Sequence, residues 1–401
     1  MNRVCAFLTL AVSGLCLLAV GCGGGSPAKS NTITSTSSGQ NVAAVTVNGG
    51  PLGNYANGLF VSVTVCAPSS STCQTIPDVL VDTGSTGLRI LGSALTVSLK
   101  QQTGTGGQPI AECLPFLSGY TWGPVQSADI QIAGEKASAV PMQVISESTF
   151  AVPNGCKSFG LQGMDTLQAL GANGLLGVGL FAQDCGSACA QSGSGNPGLY
   201  YECPSSGCQV TGEALAQQVQ NPVAMFASDN NGVIIELPAV SSAEASLSGS
   251  LVFGIGTQSN NSLSSATVYT VDQFGNFTTN YKGQSYSQSF IDSGSNGYFF
   301  LNSSTSGIPS CGSGATGFYC PASTQNLSAT NTGANGSSGT VNFSVGNAQT
   351  LFTQSDSVYG DLGGPGQNAF DWGLPFFYGR NVFTAIEGKT TSGGAGPFWA
   401  Y

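Results

Sequence analysis

Val79-Leu80-Val81-Asp82-Thr83-Gly84-Ser85 recurs 210 positions later as Ser289-Phe290-Ile291-Asp292-Ser293-Gly294-Ser295. Both copies continue with a small polar residue, a glycine and a large side chain: Thr86-Gly87-Leu88 and Asn296-Gly297-Tyr298. A single Asp-Thr-Gly after an apolar run is ordinary turn chemistry. Two in the same context, one in each half, point to duplicated lobes that each bring one carboxylate to a shared interface. Two carboxylates that close cannot both ionise freely, so they share a proton and titrate as a coupled pair. The ionised member can take a proton from water while the protonated member donates to a carbonyl oxygen. Asp82 and Asp292 are therefore the candidate catalytic residues. Gly84 and Gly294 leave room for backbone N–H groups to approach the carboxylates. Thr83 and Ser293 place hydroxyls for hydrogen bonds across the lobe interface. Ser85 and Ser295 are placed to hold the outer carboxylate oxygens.

The rest of the composition narrows the chemistry. Only 9 Lys plus Arg and 19 Asp plus Glu occur in 401 residues, and there is no histidine. Without histidine there is no Ser-His-Asp or Cys-His nucleophile site and no imidazole metal site. Neither a metal nor a cofactor is expected. A net charge of −10 leaves no cationic footprint for nucleic acid. With 41% hydrophobic residues, charge-driven disorder is excluded. Glycine at 58 positions, with abundant Ser and Thr, opposes long helices and favours a turn-rich β protein. Removing Arg3 with the leader leaves eight basic against 19 acidic residues, a net −11. With every carboxyl protonated the chain carries only about +9, or about +8 if its α-amine is acylated, so acid self-repulsion is limited.

Residues 1–21 read as a signal segment: Arg3 supplies the positive start and residues 5–20 an apolar run too short to span a membrane. Leu18-Ala19-Val20-Gly21-Cys22 resembles the lipobox of bacterial lipoproteins, which implies lipidation at Cys22. A Gly/Ser/Thr tether over 22–40 follows, too polar to build a core. Gly23 after the cysteine resembles lipoproteins sorted to the outer membrane. The expectation is an exported protein of the bacterial cell envelope, membrane-anchored through its N-terminal lipid. Of 13 cysteines, ten remain beyond Cys22, an even number that fits disulfides. Cys66 with Cys73 and Cys311 with Cys320 would each close a short polar loop; the other pairings stay open. Zinc held within 185–208 is the alternative for that cluster, against its irregular spacing.

From about residue 41 the body exceeds what one core usually supports, so two domains are expected, over 41–256 and 257–401. Strand patterns cover 59–65, 79–81, 128–132, 233–235, 251–253, 290–291 and 382–386. The best helical stretch is 211–219, with Thr211 as N-cap and Glu213 in the first turn. Residues 185–198, 257–265 and 303–340 read as loops.

With its paired motifs, the chain resembles the pepsin-like aspartic proteases, whose signature is an apolar pair followed by Asp-Thr/Ser-Gly-Thr/Ser once per lobe. That family also carries an apolar-apolar-Gly segment behind each catalytic loop. Leu175-Leu176-Gly177 resembles the first and Asp371-Trp372-Gly373 the second, with Asp371 departing from the apolar pair. Residues 249–256 resemble the strand that closes the first lobe, and 381–388 the last family strand. The resemblance spans about 55–401. It implies a mostly β, bilobal pepsin-like acid protease fold with a central cleft, and Asp82 and Asp292 activating water for peptide-bond hydrolysis. The implied partner is a peptide or protein substrate, and the implied state a monomer. In the family a Tyr-Gly hairpin flap covers the cleft; here Tyr120, Trp122 and Gly123 are the candidates, in a hairpin shorter than usual. Arg89 stands where the family has a Trp supporting the flap; by itself it reads as a solvent-facing strand residue. The competing reading is a non-catalytic surface lipoprotein of the same fold that binds peptide, protein or glycan between its lobes.

Overall fold

The computed structural model describes residues 39–146, 148–158 and 160–401. The signal segment, Cys22 and the tether through residue 38 lie outside them. Strands dominate because apolar residues alternate with small polar ones. In Gly58–Cys66, Leu59, Val61, Val63 and Val65 are buried while Ser62 is exposed.

The fold is mostly β and has two lobes. One long sheet begins in the first lobe, where Ile110–Pro115, Tyr120–Ile132, Glu135–Ile145, Thr86–Leu91, Gly174–Val178, Cys73–Asp82 and Gly58–Cys66 pair in that order. Tyr120–Ile132 also pairs with Gly58–Cys66, which curls this part back on itself. The sheet continues through Val42–Asn48, Leu247–Phe253, Gly232–Leu237, Arg380–Ala385, Phe398–Ala400 and Val268–Thr270. These strands draw on both ends of the chain. A second, seven-stranded sheet builds the other lobe, around Phe277–Tyr281, Gln284–Ile291, Asp371–Trp372 and Tyr298–Phe300. Its core is aromatic: Trp372 meets Phe343 at 5.1 Å, Phe370 at 5.4 Å and Phe376 at 5.5 Å between ring centroids. Burying rings of this size contributes about 1.5–3 kcal/mol each.

Five disulfides staple the loops: Cys66–Cys73, Cys113–Cys156, Cys185–Cys189, Cys203–Cys208 and Cys311–Cys320. The zinc alternative for 185–208 fails on this pairing, because the thiolates a metal would need are oxidised.

Three sequence expectations are corrected. The helix over 211–219 does not form, and only Leu215–Gln217 makes a 3₁₀ turn. Ala214 and Gln218 on either side of that turn are extended (ψ 145° and 158°), and the Thr211 and Glu213 N–H groups bond to the carbonyls of Tyr200 (2.9 Å) and Cys189 (2.8 Å), which ties the segment down in an irregular path. The loop over 303–340 contains the strand Gln325–Thr332 and the start of Ser338–Val345, paired over eight residues. Its Asn/Ser/Thr composition reads as loop, yet Asn326 and Ser328 face outward while Ala329 and Asn331 are buried, and Val341, Phe343 and Val345 of the paired strand fill the core. Finally, 381–388 is not the last strand: Phe398–Ala400 pairs with Arg380–Ala385 after it.

Candidate active site

Each aspartate ends or follows a strand that runs parallel to a later one, with a glycine at or just past that later strand's C-terminal end. Cys73–Asp82 pairs in parallel with Gly174–Val178, which pairs antiparallel with Thr86–Leu91. In the second lobe Gln284–Ile291 pairs in parallel with Asp371–Trp372, which pairs antiparallel with Tyr298–Phe300. The same loop is thus built twice. Gly177 and Gly373 sit where it crosses. A Cβ on Gly177 would lie 2.7 Å from the Thr86 backbone nitrogen, and one on Gly373 would strike the Gly297 carbonyl oxygen.

The loops interlock where the lobes meet. The Thr83 N–H donates to Ser293 Oγ (3.1 Å) and the Ser293 N–H to Thr83 Oγ1 (2.9 Å). Each hydroxyl then donates to a carbonyl of the opposite lobe, Thr83 to Ile291 (3.1 Å) and Ser293 to Val81 (2.7 Å). This exchange brings Asp82 and Asp292 within hydrogen-bonding reach of one another. Asp82 Oδ1 accepts from the Gly84 N–H (2.8 Å) and the Ser85 N–H (3.1 Å), and its Oδ2 from Ser85 Oγ (2.5 Å). Asp292 Oδ1 accepts from the Gly294 N–H (2.7 Å). Asp292 Oδ2 lies 3.0 Å from Ser295 Oγ, which is also 2.6 Å from Asp371 Oδ2. Burial, then the charges of Asp82 and Asp371, push the Asp292 carboxyl well above the usual carboxylate range. Burial and neighbouring like charge thus bias Asp292 toward its protonated form. Among the described residues no group of three or more acidic or cysteine side chains could hold a metal ion.

A model of the family described as "Protein of unknown function (DUF3443)" matches residues 37–401. The chain belongs to that family. No curated protein matches it. Among solved structures it is similar to an aspartic proteinase from Irpex lacteus. The match has a TM-score of 0.51 and 15% identity, covering 90% of this chain and 96% of that one. At that identity the likeness shows the fold: this DUF3443 chain has the bilobal architecture of the pepsin-like aspartic proteinases.

Around the pair, this DUF3443 member arranges its residues in its own way. The hairpin of Ile110–Pro115 and Tyr120–Ile132 closes with Pro115 opposite Tyr120, and the Phe116 N–H bonds to the Gly119 carbonyl at 2.7 Å. Trp122 is fully buried. Its ring stands edge-on to Tyr201 at 5.3 Å and its Nε1 donates to the Phe150 carbonyl (2.8 Å). Tyr120 is buried in the same small cluster, beside the Cys113–Cys156 bridge. Gly123 is required by the close pass of the Val144 carbonyl.

Arg89 does not face solvent. It is wholly buried, with Nη2 at 2.7 Å from both Glu112 Oε1 and Asp184 Oδ2 and Nη1 donating to the Thr86 carbonyl (2.7 Å). Its strand, Thr86–Leu91, is buried along its whole length between Gly174–Val178 and Glu135–Ile145, so no side chain on it can reach water. The guanidinium Cζ also lies 5.9 Å from the ring of Phe116 at the hairpin tip.

Tyr55 was not singled out by any motif. Its ring packs edge-on against Phe60 (5.8 Å). Burial, then the charges of Asp82 and Asp292, push its hydroxyl above the ordinary phenol range, so it lies within the field of the pair. The only signal in the sequence was a lone aromatic in the Gly/Asn-rich turn just before Gly58–Cys66.

Proposed function

We propose that this chain is an aspartic-type endopeptidase that hydrolyses peptide bonds with the Asp82/Asp292 pair. The observation that carries the reading is the pair itself: two carboxylates from two lobes within hydrogen-bonding reach, with Asp292 disposed to keep the proton they share. Water lodged between them gives a proton to Asp82 as its oxygen attacks the peptide carbonyl carbon. Asp292 gives its proton to the carbonyl oxygen, and a neutral gem-diol forms. The C–N bond then breaks as the nitrogen takes the proton from Asp82 and a diol hydroxyl returns one to Asp292. Both carboxyls end as they began. The same reading places the protein in the bacterial cell envelope, exported and anchored through Cys22 to the outer membrane, as a monomer acting on peptide or protein. The five disulfides support an oxidising compartment.

The test is to incubate purified protein with a mixed peptide library over roughly pH 3 to 7, the range in which coupled carboxyls titrate. Cleavage is expected, blocked by an inhibitor whose hydroxyl mimics the gem-diol. In Asp82→Asn and in Asp292→Asn it should fall by on the order of 10³-fold or more. Well-folded protein that cuts nothing across this range overturns the proposal.

A further inference from the structure

Behind the pair lies a third carboxyl. Asp371 is 6% exposed, its Oδ2 is 2.6 Å from Ser295 Oγ, and its Oδ1 has no hydrogen-bond partner. The first lobe has nothing like it. Register aligns Leu80 with Leu175 and, at the matching place, Phe290 with Asp371. There Ser85 gives its hydroxyl proton to Asp82 alone. In the second lobe one serine hydroxyl lies between two carboxyls, and it has one proton to give. If Asp371 were ionised, the Ser295 proton would go to it across the shorter contact and Asp292 Oδ2 would lose its donor. A buried, unpaired charge would also stand beside Asp82 and Asp292, with one oxygen unsolvated.

Among the described residues no counter-ion acts on Asp371. On Gln284–Ile291 its register partner is Phe290, and Tyr286 turns to Phe370 (5.7 Å). On Tyr298–Phe300 the partner is Phe299, and Tyr298 turns to Trp372 (5.9 Å). Arg380, on the strand that follows, donates to the Phe376 carbonyl (2.6 Å). The ionisable group that acts on Asp371 is Asp82, and Asp371 acts in turn on Asp292, both acids.

We propose that Asp371 is a positioning residue of the site: as a neutral acid it donates from Oδ2 to Ser295 Oγ, which turns the Ser295 proton onto Asp292 Oδ2. The second lobe thereby holds a one-way chain, Asp371 to Ser295 to Asp292. Burial, offset by the Ser295 contact and reinforced by Asp82, pushes Asp371 up to about 8, which keeps the chain intact through the acidic and neutral range. The chain favours the ionised form of Asp292, the form it must take each time it protonates a carbonyl. Above about pH 8 Asp371 ionises, the Ser295 proton swings back to it, and Asp292 becomes a poorer acid.

The catalytic part of this inference rests on the endopeptidase reading; the proton on Asp371 does not. Infrared difference spectra of the full chain against Asp371→Asn, near pH 6, read that proton directly. A carboxylic-acid C=O band present in the parent and lost in the variant is expected. In Ser295→Ala it should persist at a higher frequency, because its hydrogen bond is gone. A carboxylate band in its place, or an acid band indifferent to Ser295→Ala, overturns the chain whether or not any peptide is cut. If Asp371→Asn does not fold, pH titration of the same band in the parent and in Ser295→Ala still decides. For cleavage, Asp371→Asn keeps a donor to Ser295 and should hold kcat within about threefold near pH 5 while losing the fall centred near 8. Asp371→Leu, the first-lobe residue type, should lose about tenfold in kcat with KM unchanged, the worth of one strong hydrogen bond. Equal pH profiles in the parent and Asp371→Asn sink the catalytic role alone.

Discussion

A Cβ on Gly84 would lie 2.5 Å from Asp292 Cγ, and one on Gly294 would lie 2.8 Å from Asp82 Cγ. Each glycine of one lobe is thus the wall against which the other lobe's carboxyl rests. Gly84→Ala must push Asp292 outward by a sizeable fraction of an ångström, and misplacement on that scale costs on the order of 10²-fold in turnover. The expected result is a variant that melts close to the parent but cleaves about a hundredfold more slowly; unchanged kcat would show that the contact is dispensable. This much was legible, because Asp-Thr-Gly-Ser and Asp-Ser-Gly-Ser are local and recur. Asp371 was visible only as a charge in an apolar segment. Its partner Ser295 lies 76 residues away, and a sequence pattern carries no sign of that contact. Tyr55 was invisible for the same reason, since the two carboxyls whose charges act on it come from both lobes.

At the scale of elements, the buried guanidinium explains how the hairpin over the first lobe is supported. Arg89 on Thr86–Leu91 reaches Glu112 on Ile110–Pro115, while Asp184 also accepts from Tyr200 of Tyr200–Glu202 (2.7 Å). One cation thus fixes three strands and the loop before Cys185. Burial, then Glu112, pushes Asp184 well above the carboxylate range, against the pull of Arg89. Arg89→Met leaves two acids without their cation, and breaking such a buried pair costs about 3–5 kcal/mol. Denaturant unfolding should show that loss shrinking on acidification, as the raised Asp184 carboxyl takes up its proton and no longer needs a cation; a loss that grows on acidification contradicts this account. A strand pattern cannot report such a tie. Thr86–Leu91 was readable as apolar, but whether its one arginine faces water depends on strands that cover both its sides. The segment at 211–219 differs from its helix signals for a related reason: contacts to Tyr200 and Cys189, remote from its own pattern, hold it in a path that is extended at Ala214 and Gln218.

For the whole molecule, the scarcity of charge has a direction. Asp292, Asp371 and Asp184 are held above the ordinary carboxylate range, as are Glu213 (about 7), Glu135 and Asp361, in each case first through burial. Asp129 goes the other way: burial is outweighed by the Ala139 and Ser69 N–H groups and Lys136. A raised carboxyl binds its proton more tightly folded than unfolded. The stability it brings is full below the unfolded value and is lost as pH climbs through the folded one. The sum predicts a melting temperature that declines from about pH 4 to about pH 8, with Glu213 and Asp371 titrating in the upper half of that window. Asp371→Asn should flatten the slope; calorimetry showing a rise over the same interval would falsify this. The disulfides carry a further consequence, for assembly. Ordered along the chain, the ten cysteines of the described body join first to second, third to fourth, and so on to ninth with tenth. Of the roughly 900 pairings that ten cysteines allow, this is the one made by a blind oxidase that couples each thiol to the next to emerge. A chain threaded N-terminus first into an oxidising space needs no isomerase to reach it.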